Sequence, residues 1–235
     1  MKIYTLLCFL FVVVSHLSAQ IIRTDELEQY ATNNFGKEWL EAAEKIASEH
    51  PLDVNKAFTF IEVIEAPKMD ANKIYDELQM WFTSTFVDTK SVLVSSERDR
   101  GLIVAKGYIE QAASYTGAFT AINIDITPTF KIQIKDEKIR VTYSVPYYIE
   151  FQDGSKSIMS TIAGNENDSG DEKSKQNVVL DATYPFAEIS GVNKKARKKA
   201  YARALVMSNA YANVILDKLT KVVREGYDGT ANEDW

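Results

Sequence analysis

Between Ile122 and Phe151 apolar and polar residues take turns with few interruptions, and this alternation constrains the fold more than any other feature. In a first run Ile122, Ile124, Ile126, Phe130, Ile132 and Ile134 occupy every second place. In a second run Ile139, Val141, Tyr143, Val145, Tyr147, Ile149 and Phe151 do the same. A period of two gives a strand one buried and one wet face. Lys135-Asp136-Glu137-Lys138 between the runs reads as a hairpin turn. Pro128 and Pro146 lack a ladder donor, so each marks an edge, a bulge or a bend. Such a chain is committed to an antiparallel sheet covered on one side.

The flanking segments supply the cover. Residues 24–49 read as helix broken at Gly36, with Thr24 as cap and Trp39, Leu40, Ala43 and Ile46 as an apolar stripe ended by Pro51. Phe58 to Ala66 reads as a strand. Asp70 caps a helix reaching about Phe86, in which Ile74, Leu78, Phe82 and Phe86 recur every four residues. Met69 and Ile74 stand at the positions of a hydrophobic staple. Strands follow at Ser91–Ser95 and Leu102–Ile109, and a short one at Val178–Leu180. Asn193 caps a long helix to about Arg224, with Tyr201, Leu205, Ser208, Ala212, Ile215, Leu219 and Val222 as its stripe. The fold expected is α+β: an antiparallel β-sheet with helices on one face in residues 56–225, preceded by an N-terminal helical arm at 20–55. Residues 152–176 read as a mobile polar loop and 226–235 as a disordered tail.

The start of the chain has the order of a secretory signal peptide. Lys2 precedes an apolar run from Ile3 to Val14, and small residues then lead to a cut between Ala19 and Gln20. The run is shorter than the ~20 apolar residues of a spanning helix, so no transmembrane segment is expected after cleavage. Loss of residues 1–19 removes the single cysteine, Cys8, and one of two histidines, His16. An exported chain without cysteine is held by packing alone. Thiol chemistry is excluded, and His50, just before Pro51, is badly placed for a catalytic triad. No cofactor or metal site is expected. The net charge of −6 argues against a nucleic-acid surface.

The strand Phe58-Thr59-Phe60-Ile61-Glu62-Val63 ending in Ala66-Pro67, the helix carrying Tyr75 and Trp81-Phe82, then Ser91-Val92-Leu93-Val94 and Gly101-Leu102-Ile103-Val104-Ala105-Lys106-Gly107 carry a family likeness. From Phe58 to Tyr143 the chain resembles a family of exported bacterial proteins described as a domain of unknown function with a TBP-like fold. The resemblance implies a curved antiparallel sheet crossed by two helices. It brings no active-site residues, and a shape does not carry DNA binding with it.

Two groups of residues are candidates for a site. Lys194, Lys195, Lys198, Lys199 and Arg203, with Arg197, crowd the start of the last helix and form a possible patch for an anionic partner; the alternative is a solvated face paired with the acidic arm. Trp81, Tyr143, Tyr147, Tyr201 and Tyr211 would line an apolar pocket between sheet and helices, or simply fill the core. Asn165 to Glu172 has the outline of a calcium loop, but Asn165 stands where Asp is wanted and Gln176 where a bidentate Glu is needed. Without a catalytic set, the expected function is an exported cell-envelope binding or interaction module that is not an enzyme. The alternative is a carrier of an apolar small molecule or lipid held between the sheet and the last helix. The expected partner is accordingly an envelope protein or an apolar ligand.

Overall fold

The structure, a computed structural model, describes residues 24–85, 93–116, 121–153, 174–191 and 193–227. The expected signal peptide, the calcium-like stretch Asn165–Glu172, most of the expected 152–176 loop and all but the first residues of the expected tail lie outside the described residues.

The order of elements is α1 (Thr24–Phe35), α2 (Trp39–Glu49), β1 (Phe58–Glu65), α3 (Ala71–Thr85), β2 (Leu93–Glu97), β3 (Leu102–Lys106), β4 (Ile109–Thr116), β5 (Ala121–Ile126), β6 (Thr129–Lys135), β7 (Lys138–Val145), β8 (Tyr147–Asp153), β9 (Ser174–Val179) and α4 (Lys194–Glu225). The fold is α+β with antiparallel strands, in the order β1-β7-β6-β3-β2 in one sheet and β4-β5-β8-β9 in the other. β3 runs into β4, β5 into β6 and β7 into β8, each through one or two residues, and these three strand pairs keep the same neighbours in both sheets. The architecture is therefore a single sheet sharply bent along a line through Gly107, Pro128 and Pro146. The Gly107 amide donates to the Pro128 carbonyl at 2.8 Å, carrying a hydrogen bond across that line.

The bend changes what the alternation means. On β6 and β7, Phe130, Ile132, Ile134, Ile139, Val141, Tyr143 and Val145 are buried, as the period predicts. After Pro146 the parity reverses: Tyr148 and Glu150 point into the core, while Tyr147, Ile149 and Phe151 are half-buried on the opposite face. The expected strand Leu102–Ile109 is cut at Gly107. Its continuation β4 is invisible to periodicity because a bulge, with Gln111 at φ 47°, buries the consecutive Ala112 and Ala113.

α4 has 32 residues, about 48 Å at 1.5 Å per residue, and lies against both halves of the sheet. From Ala204 to Ala212 every residue is buried. A helix buried all round has layers on both sides. The bent sheet is one; α1 and α2 are the other, so the arm closes the same core instead of standing apart. Thr24 does not cap α1 from outside it but lies in its first turn, and its hydroxyl donates to the Glu110 carbonyl on β4. Asp70 caps α3 by accepting from the Lys73 amide at 2.8 Å. Asn193 precedes α4 at φ 68° without a side-chain cap.

α4 meets the bend at Gly107. A β-carbon there would lie 2.9 Å from the Tyr211 hydroxyl and 3.0 Å from Pro128 Cγ. The Tyr211 hydroxyl is buried and has no hydrogen-bond partner among the described residues. Gly107→Ala is expected to cost about 1–3 kcal/mol through overpacking. Urea unfolding should show this cost, and Tyr211→Phe should recover part of it by removing the colliding oxygen.

Candidate functional site

The expected aromatic pocket is filled core for four of its five residues. Tyr143 from β7 and Tyr201 and Tyr211 from α4 are no more than 3% exposed. The Phe130 ring lies 5.2 Å from that of Tyr143 and 6.0 Å from that of Tyr211, and the Tyr143 hydroxyl donates to the Ser208 carbonyl at 2.9 Å. Trp81 belongs to the same core at 5% exposed, and of the five Tyr147 lies outside it. Trp81 packs on its neighbour Phe82 within α3, at 4.8 Å between ring centroids. Tyr147 is turned to the opposite face by the reversal at Pro146, and Tyr148 takes the inward place, stacked on Tyr201 at 6.5 Å.

The same reversal buries Glu150, which the alternation assigns to solvent. Its carboxylate is 0% exposed and accepts from the Tyr201 hydroxyl, from Arg197 Nη2 at 3.3 Å and from Gln176 Nε2 at 3.1 Å. Three donors make a buried charge tolerable. The network ties α4 to the second half of the sheet.

The basic cluster at the start of α4 is divided among its faces. Arg197 turns inward to Glu150. Arg203 turns to the arm, 2.6 Å from Glu28 and 5.3 Å over the Trp39 ring. Lys198 lies 4.3 Å over the Tyr184 ring, and with Lys194 it lines a shallow hollow formed by residues 184–189. Lys195 and Lys199 are exposed. The five residues do not form one patch, because helical geometry spreads consecutive positions around the axis.

The face of the bent sheet opposite α4 remains uncovered among the described residues. Register places its side chains in rows on the first half: Thr59, Ser144, Thr129 and Lys106; then Ile61, Thr142, Lys131, Val104 and Ser95; then Val63, Arg140, Gln133, Leu102 and Glu97; then Glu65, Lys138 and Lys135. Ile61 is 59% and Val63 54% exposed. A hollow of about 240 Å³ opens there, with Val63, Gln133, Lys135, Lys138, Ile139 and Arg140 around it. Sequence reasoning missed this surface because its residues are the polar half of an alternation read for its buried half. Among the described residues no group of three or more His, Cys, Asp or Glu is placed to hold a metal ion, and no helix is long and apolar enough to cross a membrane.

Burial raises the phenols of Tyr143, Tyr148, Tyr201 and Tyr211 above their ordinary value. The folded state thus holds these protons more tightly than the unfolded chain. Their contribution to stability is complete below about pH 10, the unfolded phenol value, and is lost as pH rises through the folded values. Alkaline titration is expected to show these tyrosines ionising in one cooperative step that coincides with loss of circular dichroism. Gradual ionisation with the fold intact would contradict this account of the core.

Comparison with known proteins bears on the fold. The family model described as "Domain of unknown function (DUF4468) with TBP-like fold" matches residues 60–148. The structure is similar to that of a TBP-like protein from Parabacteroides distasonis, with TM-score 0.45 and 11% identity over 74% of this chain and 96% of that one. It is also similar to a DUF4468 family protein from Bacteroides ovatus, with TM-score 0.41 and 14% identity over 76% and 91%. No curated protein matches the chain. Residues 60–148, from within β1 to the start of β8, thus match the family described as DUF4468 with TBP-like fold.

Proposed function

We propose that the protein is an exported, non-catalytic binding module of the cell envelope that engages a protein partner through the open face of its bent sheet. The observation that carries this reading is the contrast between the two faces. One is consumed by α4 and, behind it, by α1 and α2. The other is uncovered among the described residues and shows Ile61 and Val63 more than half exposed among short hydroxyl side chains and cations. Exposed apolar residues grouped on one surface are a feature of interaction sites. The core behind α4 favours a binding face over a carrier, since Phe130 and Tyr148 occupy the space between Tyr143, Tyr201 and Tyr211 that an apolar ligand would need.

A photoreactive residue at Thr142, in the centre of the open face, is expected to crosslink a specific protein in the native envelope. The same group at Lys199, on α4, is expected not to. Equal capture at both positions, or none at Thr142, would overturn the reading. Sequencing the protein recovered from that envelope is expected to begin at Gln20.

A further inference from the structure

We propose that the end of the β6–β7 hairpin, with the neighbouring edge of β1, is the docking site for an extended acidic segment of the protein partner. This rests on the open-face reading above and names what that face recognises.

Charge is the first argument. Lys135 and Lys138 are directly opposite each other in register, and Arg140 follows on the same face of β7. Like charges directly opposite on a sheet destabilise the pair. The hairpin has two acids of its own at the turn, but among the described residues neither forms an ion pair with these lysines. Asp136 accepts from the Ala71 amide at 2.9 Å and Glu137 from the Lys68 amide at 3.2 Å, so both serve the approach to α3. Glu65 stands opposite Lys138 in register without an ion pair, and Glu97, further along the face, is held by Arg100. Among the described residues Lys135, Lys138 and Arg140 have no ionic partner, in a chain of net charge −6. An incoming carboxylate relieves a repulsion that the fold has left in place.

Shape selects the kind of anion carrier. The cations ring a hollow, and one of its walls is Val63 on β1. β1 is the edge of its sheet: eight residues in unbroken register with β7, with neither proline nor lysine. Proline and lysine are two of the devices that guard natural edges, and an edge without them accepts another strand more readily; Arg224 reaches only the Glu65 carbonyl at its end. A strand added beside β1 would lie about 10 Å from β7, two strand spacings away. A glutamate on that strand, passing over Val63, and Arg140 reaching back can close this distance. A lipid surface instead favours cations and apolar groups standing proud of the protein, and has no use for an open backbone edge.

The test uses the full chain without its signal peptide and a labelled synthetic peptide alternating Glu and Val. Fluorescence anisotropy is expected to show saturable binding that weakens about tenfold or more in Lys138→Glu with Arg140→Glu. The control, Lys195→Glu with Lys199→Glu on α4, is expected to leave binding unchanged. Backbone amide shifts on adding peptide are expected to concentrate at Phe60–Ile64. Should the charge reversals fail to fold, Lys138→Gln with Arg140→Gln reads the same site. Absence of saturable binding, equal loss in the control, or binding only to vesicles of anionic phospholipid would overturn the proposal. Capture of an envelope protein at Thr142 alongside any of these results would reject the hairpin assignment alone; no capture there rejects the open-face reading itself.

Discussion

The contact of α4 with the line where the sheet bends is the constraint on which the other elements depend. Strands that cross such a line must give up regular pairing for a residue or two, and each does so at a position suited to it. Gly107 lets Tyr211 approach to a distance no β-carbon tolerates. Pro128 still offers its carbonyl, and the Gly107 amide uses it. At Pro146 no donor is missed, and the next strand starts with its faces exchanged. The helix then fixes the bend from one side, through Tyr211 near the line, the Tyr143 hydroxyl on the Ser208 carbonyl in one half, and Arg197 and Tyr201 on Glu150 in the other.

That arrangement determines where function has room to reside. A helix buried from Ala204 to Ala212 needs neighbours all round it, so α1 and α2 are drawn onto its far side by Trp39, Ala43 and Ile46, and Arg203 becomes part of that join through Glu28. The two arginines of what reads in the sequence as a basic cluster, Arg197 and Arg203, are thereby spent on holding three layers together. The helical side of the protein is built for cohesion. The other side of the sheet stays open among the described residues.

The legible part of the fold was the part governed by a single period. β6 and β7, the four-residue repeat of α3 and the break at Gly36 all follow from local chemistry, and the structure has them close to where the sequence puts them. The misses share one cause: irregularity at the bend, which periodicity averages away. The proline at 146 was visible as a break, but nothing local says whether the pattern resumes in phase, so Tyr147 was assigned to the core and Glu150 to water, each the reverse of the fact. The bulge at Gln111 hid β4 in the same way. On α4, the stripe from Tyr201 to Val222 takes in Ser208 and Ala212, but a single stripe leaves out Val206, Met207 and Ala210, whose burial shows the helix covered on all sides. The open face escaped for a different reason: a surface of Thr, Ser, Lys and Gln has no signature apart from the register that assembles it.

The hairpin shows how the two sides of the molecule are coupled. Its turn acids are needed at the start of α3, where backbone amides lack partners within the helix, and the amides of Lys68 and Ala71 take them. Held there by the backbone amides, neither carboxylate forms an ion pair with a lysine among the described residues. Seating α3 against the core thus leaves Lys135 and Lys138 facing each other, with Arg140 beside them, on the open face. A hairpin closed by neutral turn residues would leave the start of α3 less well satisfied. A hairpin whose acids turned to the lysines would neutralise the face. The observed sequence satisfies the helix and keeps the positive charge outside, which is the arrangement expected if that charge has a partner to meet.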